Sequence, residues 1–154
     1  MKRMICLLTF AVLFAASACM AADDANLGTW KLNEAKSKFS PGAAKNTSVV
    51  YEAAGDNIKV TVDGVGADGK PSHNEWTGKF DGKDYPVTGD SSVDTRSYER
   101  VDAHTLKLTN KKGDKVTMSG TATVSADGKT RTVTISGTDA SGKKVSATAV
   151  YDKQ

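Results

Sequence analysis

The sequence predicts an all-β protein whose strands form an antiparallel meander. Runs of β-branched and aromatic residues alternate with Gly, Asp and Asn along most of the chain. Gly-centred turns recur between these runs, as in "DGK" at 68–70 and 81–83 and "ADGKT" at 126–130. Because Gly adopts positive φ at no steric cost, such turns are typical of hairpins. No helical segment is long enough for a parallel crossover, so neighbouring strands are expected to pair antiparallel.

Residues 1–21 are predicted to be a secretory signal peptide, followed by a single domain at 22–154. Lys2 and Arg3 give a positive start, residues 4–16 carry no charge, and small residues follow. This three-part pattern is typical of signal peptides. The apolar run is well short of the ~20 residues that a membrane-spanning helix needs, which argues against an anchor helix.

Two cleavage patterns compete in this leader. Cleavage after Ala21 or Ala22 would leave a soluble periplasmic or secreted chain. Cleavage after Ala18 would expose Cys19 behind "AASA", which resembles the lipobox of bacterial lipoproteins. The alternative localisation is therefore a lipoprotein anchored through Cys19, and contact with a membrane is expected only in that case. The other cysteine, Cys6, also lies in the leader.

The charge of the chain argues against a nucleic-acid partner. Loss of Lys2 and Arg3 with the leader leaves 19 basic and 18 acidic residues, so the formal charge falls from +3 to +1. Nucleic-acid binding needs a basic patch, and nothing in the sequence suggests one. A domain of this length buries about two-thirds of its unfolded surface, which is enough for stability without disulfides. The protein is expected to be a monomer.

Ten strands with short connections are predicted. One helical turn is expected at 33–39, and Pro41 and Gly42 soon end it. The strands are expected at 28–33, 47–52, 57–65, 72–80, 84–87, 92–102, 105–109, 115–125, 130–138 and 144–152.

The last three strands alternate apolar residues with Thr and Ser, which predicts one buried and one solvated face. The apolar series are Val116, Met118, Ala122 and Val124, then Val133 and Ile135, then Val145, Ala147, Ala149 and Tyr151. Gly120 and Gly137 continue the same series and suggest bends where a sheet turns a corner. The pattern leaves two architectures open, a barrel with space inside and a sandwich with a small core.

Catalytic and metal-binding motifs are missing from the domain sequence. It has no thiol, no Gly-x-Ser-x-Gly elbow and no His-Glu-x-x-His pair, and its Asp-Gly turns lack the carboxylates of a calcium loop. His73 and Glu75 share a strand face and define the weakest alternative, an enzyme with a His base. That face also carries Thr77 and Lys79 and is expected to be solvated, and His104 is expected in an exposed loop. A non-catalytic protein without cofactor or metal is therefore expected.

Arg96, Tyr98 and Arg100 share one face of the strand predicted at 92–102. If that face points inward, Arg and Tyr would suit a ligand carboxylate, because the guanidinium is a planar fork of donors. If it points outward, it is a charged surface with Asp94 as partner. The alternation does not decide between the two.

The aromatic residues follow the buried face or end a strand. They are Trp30, Trp76, Phe80, Tyr85 and Tyr151. Such residues pack in the core, and in a hollow barrel they would also contact a ligand.

Two short motifs resemble the calycin superfamily of meandering barrels. "NLGTWKLN" at 26–33 resembles the first strand of lipocalins and fatty-acid-binding proteins, and "TAVYDK" at 148–153 resembles the last strand of the latter. There an Arg-x-Tyr motif reads the ligand carboxylate; Tyr151 matches the Tyr, but Ala149 stands in place of the Arg. The chain also looks like a group of small secreted bacterial proteins of unassigned function, rich in "DGK" turns. The resemblance implies a lipocalin-like barrel of about 8–10 strands.

The expected function is non-catalytic binding of a small, largely apolar ligand, with a fatty-acid-like molecule as one candidate. Trp30, Trp76, Arg96, Tyr98 and Tyr151 are the predicted lining residues, with Trp30 closing the base. A binder of this kind is expected to contain a cavity of roughly 300 Å³ or more. The alternative function is an envelope structural or interaction module, a filled barrel or sandwich without an internal ligand.

Overall fold

A computed structural model describes residues 24–139 and 141–154, which form eleven β-strands and one short 3-10 helix. The predicted signal peptide, the competing cleavage sites and both cysteines lie outside these residues. Within the described ranges, no helix is long and apolar enough to cross a membrane.

All ten predicted strands are present, and their ends differ from the predicted ones by at most three residues. The prediction succeeds because each turn is encoded locally by Gly, Asp and Asn. The strands are β1 (Gly28–Leu32), β2 (Lys38–Phe39), β3 (Lys45–Ala54), β4 (Asn57–Val65), β5 (Pro71–Gly78), β6 (Tyr85–Thr88), β7 (Thr95–Arg100), β8 (Thr105–Lys112), β9 (Lys115–Val124), β10 (Thr130–Thr138) and β11 (Lys144–Lys153).

The sheet closes into a ten-stranded antiparallel barrel. From β3 to β11, each strand pairs with the next one in the chain. β1 pairs with both β3 and β11, so that Trp30 lies opposite Val49 on one side and Lys153 on the other. This double pairing confirms the closed meander and excludes the sandwich, because a sandwich would leave sheet edges unpaired.

The eleventh strand, β2, was not predicted. It pairs with β11, the same strand that β1 pairs with to close the barrel. The helical turn expected at 33–39 is present as a 3-10 helix at Glu34–Lys36, where the Asn33 side chain accepts from the backbone N–H of Lys36. After this turn β2 pairs with β11, with Phe39 opposite Ala147. Two residues are too few to show a period, so this strand leaves no signal in the sequence.

The barrel interior holds one continuous hydrophobic core. Trp30, Val60, Trp76, Leu106 and Val124 are almost completely buried. Half of the predicted inward series of the last strands is buried and most of the rest is half-buried, while Val116, near the start of β9, is exposed. An aromatic cluster fills one part of the core, where Tyr51, Trp76, Phe80 and Tyr98 contact one another mostly edge to face.

The two glycines expected at bends lie where neighbouring strands approach too closely for a side chain. A Cβ atom on Gly120 would lie 2.0 Å from the carbonyl oxygen of Thr134, and one on Gly137 would lie 2.1 Å from that of Thr117. Both positions therefore require glycine on steric grounds.

The segment that precedes β1 packs against the core at the Trp30 end of the barrel. The Trp30 indole N–H donates to the carbonyl oxygen of Asn26, and Asn26 is fully buried. Asp24 accepts from the Asn26 backbone N–H and pairs with Arg100. Burial raises the pKa of the Asp24 carboxyl, but the hydrogen bonds from Asn26 and Arg100 outweigh it and hold the pKa below its ordinary value.

Candidate functional site

Inward-facing side chains of the barrel line a cavity of about 70 Å³. Its walls combine apolar groups, such as Val62, Leu108 and Val133, with polar ones. The polar lining includes Tyr51, Arg96, Tyr98, Asn110, Arg131 and Tyr151. The cavity is smaller than the roughly 300 Å³ expected from the sequence, because large aromatic and arginine side chains point into the barrel.

Arg96 points inward and is held by two amide side chains. Its Nε donates to Oδ1 of Asn110 at 2.7 Å, and its Nη1 donates to Oδ1 of Asn74 at 3.3 Å. The backbone carbonyl of Arg96 accepts the indole N–H of Trp76 at 2.8 Å. The interpretation of this face as a charged surface is therefore wrong for Arg96 and Tyr98. Arg100, at the end of β7, is exposed and pairs with Asp24, whereas Asp94 pairs with Lys112 at the barrel exterior.

Arg131 enters the cavity from β10, directly opposite Tyr151 on β11. One of its Nη atoms donates to the hydroxyl of Tyr51, and its Cζ lies 4.3 Å from the centroid of the Tyr51 ring. The Tyr51 hydroxyl in turn donates to that of Tyr98 at 3.4 Å. Arg131 is 2% exposed, and its Nε is buried without a hydrogen-bond partner among the described residues.

No carboxylate neutralises these two arginines within the described part of the chain. The ion pairs found there use other residues and lie at or near the surface. Two buried guanidinium charges without a counter-ion are unusual, because an uncompensated buried charge is costly. The interior of the barrel is therefore electropositive.

The tyrosines of the cavity do not supply the missing negative charge. Burial raises the pKa of Tyr51 well above its ordinary value, although the charge of Arg131 opposes this. Burial likewise raises the pKa of Tyr151 to about 12, and its hydroxyl donates to the carbonyl oxygen of Asn46 at 3.1 Å. Both phenols are therefore neutral at physiological pH.

The structure brings three of the five predicted lining residues to the cavity, namely Arg96, Tyr98 and Tyr151. Trp30 and Trp76 are buried in the core but do not line this cavity. Trp30 packs at one end of the barrel, and Trp76 supports the backbone of Arg96.

Sequence reasoning missed Arg131 and Tyr51. Arg131 stands in phase with Val133 and Ile135, so the alternation that marks the buried face of β10 also marks this arginine as inward-facing. A charged residue inside an apolar series was the available signal. Tyr51 is in phase with Val49 on β3, and its position gave a weaker indication of the same kind.

The His73 face lies outside the cavity. His73 Nδ1 lies 2.6 Å from Oδ1 of Asp63, and Glu75 is paired with Lys59 at 2.7 Å. All four side chains are substantially exposed, as a solvated surface requires. His104 differs from its prediction: it is half-buried, and its Nδ1 has no hydrogen-bond partner among the described residues.

Within the described residues, the surface of the barrel carries no metal-binding cluster and has an open depression. Among residues 24–139 and 141–154, no group of three or more His, Cys, Asp and Glu side chains could hold a metal ion. A shallow open depression of about 670 Å³ crosses β9, β10, β11 and β2, and most of its lining side chains are Ser and Thr hydroxyls. It is open to solvent, so it does not enclose a ligand.

Fold and lining together define a closed antiparallel β-barrel with an electropositive interior. No protein-family model matches the chain, and no curated protein sequence matches it. Comparison of structures finds EF1p2_mFAP2b bound to DFHBI, with 12% identity, a TM-score of 0.46, and coverage of 84% of this chain and 94% of the other. It also finds a redesigned β-barrel, mFAP1, bound to DFHBI, with 14% identity, a TM-score of 0.43, and coverage of 84% and 95%. Because these likenesses are low, the fold assignment rests on the strand pairing.

Proposed function

We propose that the protein is an exported, non-catalytic barrel that binds a small ligand in its interior. The supporting observation is the cavity of about 70 Å³, in which apolar walls meet buried polar groups that are only partly hydrogen-bonded. Small-molecule sites typically combine an apolar lining with a few polar groups that fix orientation. Here Val62, Leu108 and Val133 exclude water, while Arg131 and Tyr98 orient the ligand.

The volume restricts what the interior accepts. A cavity of about 70 Å³ leaves no room for the chain of a fatty acid, since pockets for drug-sized molecules measure ~300 Å³ or more. The missing arginine at Ala149 points the same way, although Arg131 places a guanidinium opposite Tyr151 from the neighbouring strand. The proposal therefore keeps an internal ligand and replaces the fatty-acid-like molecule with a smaller one.

The small volume also favours a second candidate function, an envelope interaction module with no internal ligand. In that case the barrel would be a filled scaffold, and a partner would bind its outer surface. The open depression lined by Ser and Thr hydroxyls is one surface that such a partner could use. The two functions differ in one observable, the presence of a bound small molecule.

Native mass spectrometry of the protein purified from its exported fraction tests the proposal. The wild-type protein is expected to carry a non-covalent small molecule, and Val133→Phe, which fills the cavity from β10, is expected to lose it. Thr134→Phe is the matched control, because the same side chain is added on the exposed face of the same strand. No bound mass in the wild-type protein, in several growth conditions, would favour the filled module.

Export itself is proposed from residues 1–21, and intact mass measures it. A mass that corresponds to cleavage after Ala21 or Ala22 would support a soluble periplasmic or secreted protein. A mass that begins at Cys19 and includes lipid would support the anchored form. An uncleaved chain would contradict export through this leader.

A further inference from the structure

We infer that the ligand of the barrel is a compact oxyanion, seated against Arg131 and the hydroxyl of Tyr98. This inference rests on the proposed function and names the ligand class for the same cavity. It follows from three independent properties of the lining, which are its hydrogen-bond donors, its charge and its volume.

The lining has more donors than acceptors to receive them. The Nε–H of Arg131 has no acceptor within the described ranges, and the one hydrogen bond from this guanidinium to a side chain goes to the Tyr51 hydroxyl. The Tyr98 hydroxyl accepts from Tyr51, and its own hydrogen has no acceptor among the same residues. A ligand that complements this lining must accept several hydrogen bonds, which an oxyanion does best.

The charge of the lining excludes cations and disfavours neutral ligands. Arg96 and Arg131 are 7% and 2% exposed, and neither is paired with a carboxylate in the described part of the chain. The neutral phenols leave this charge in place. An anion therefore gains Coulomb energy in a site of low dielectric, where such interactions are strongest.

The two arginines have different tasks at this site. Arg96 donates to Asn110 and Asn74, which hold its guanidinium in place, so its main contribution is charge. Arg131 lines the cavity, and one of its Nη atoms donates to Tyr51, so it can contribute both charge and direct hydrogen bonds from the rest of its guanidinium. Arg131 is therefore the residue expected to touch the ligand.

The volume limits the anion to a few heavy atoms. A cavity of about 70 Å³ holds several water molecules at most, since one water needs some 10–15 Å³ on the same measure. Acetate, nitrate and phosphate are anions of this size. Only the carboxylate group of a long-chain acid would fit into this cavity, and its alkyl chain would have to extend out of the barrel.

Calorimetric titration of the purified protein with sodium acetate, nitrate and phosphate, at constant ionic strength, tests the inference. At least one of these probes is expected to bind saturably to the wild-type protein. Arg131→Met is expected to weaken that binding by tenfold or more, and Tyr98→Phe, which removes only a hydroxyl, by about threefold to tenfold. Lys107→Met removes a positive charge from the exposed face of β8 and is expected to leave the affinity unchanged.

Laurate, titrated in parallel, distinguishes a small free anion from the carboxylate group of a long-chain acid. If laurate binds through Arg131 and none of the three small anions does, the ligand is a long-chain acid and the inference is wrong. If native mass spectrometry detects a neutral bound molecule and no anion binds, the inference is wrong but the proposed function stands. If no molecule is detected by either method, both are wrong.

Discussion

Substitution of the two buried arginines by methionine gives the sharpest test of how the interior is built. Each change removes one buried charge and keeps a long, flexible side chain of similar reach. Because both variants lose a charge from the same electropositive interior, this contribution largely cancels when Arg96→Met is compared with Arg131→Met. The remaining difference comes from the partners that each arginine leaves behind.

Arg96→Met leaves two buried amide oxygens without their donor. Asn110 Oδ1 loses a hydrogen bond of 2.7 Å, and Asn74 Oδ1 loses a longer one of 3.3 Å. A buried acceptor left without a partner costs about 1–3 kcal/mol, so the two together are expected to cost about 2–4 kcal/mol.

Arg131→Met leaves its partner satisfied. The Tyr51 hydroxyl loses the bond from Arg131 but still donates to Tyr98, so no group becomes isolated. The main loss is the contact of the guanidinium with the Tyr51 ring, worth about 1–2 kcal/mol when desolvated. Arg96→Met is therefore expected to be the less stable variant by about 1–2 kcal/mol.

Urea denaturation, followed by the fluorescence of the buried Trp30 and Trp76, measures the free energy of unfolding of each variant. Urea is preferred to guanidinium chloride, because both ions of that salt could interact with the site. Lys107→Met serves as the control for a change of net charge. The reasoning is refuted if Arg131→Met costs as much free energy as Arg96→Met, or more.

Three further predictions concern the frame around the cavity. Trp76→Phe removes the donor to the Arg96 carbonyl oxygen and is expected to lower the free energy of unfolding in urea by about 2 kcal/mol; a loss below about 0.5 kcal/mol would contradict this. Gly120→Ala forces a methyl group against the carbonyl oxygen of Thr134, so we expect the free energy of unfolding to fall by more than about 2 kcal/mol. A variant with the Tm of the wild-type protein would show that β9 and β10 can move apart to accept the methyl group. Asp24→Asn is expected to lower Tm near pH 6, and this deficit is expected to shrink as the pH falls below about 3.9. The reason is that the pKa of the Asp24 carboxyl is lower in the folded state than in the unfolded state. Such a carboxyl stabilises the fold above its unfolded-state pKa, and the stabilisation is lost as the pH falls through its folded-state pKa. A deficit that stays constant from pH 6 to pH 2.5 would contradict the role of that carboxylate.

The strands were predictable because their signals are local. An Asp-Gly turn specifies its hairpin within a few residues, and the alternation in β9, β10 and β11 specifies the buried face. Closure of the barrel was not predictable in the same way. It depends on the pairing of β1 with β11, which joins Trp30 to Lys153 across almost the whole domain. From the residues alone, a sandwich remained equally possible.

The candidate site shows the same division between local and distant information. Alternation placed Arg96 and Tyr98 on one face but did not decide its direction, because neither face of β7 carries an aliphatic residue. The partners that fix Arg96 come from β5 and β8, so no local pattern contains them. The inward direction of Arg131 could have been predicted from the sequence, since this residue is in phase with the apolar series of β10.

The cost of the buried arginines bears on the choice between the two candidate functions. A barrel that served only as a scaffold would gain stability from apolar side chains at these positions, because buried ionic groups replaced by well-packed apolar ones are often neutral or stabilising. Arg131 instead keeps a buried Nε without a partner among the described residues. Its positive charge is uncompensated there, and the neighbouring phenols are neutral. A bound anion accounts for the uncompensated charge, whereas a filled module does not. For this reason the electropositive interior supports a ligand more strongly than the small volume argues against one.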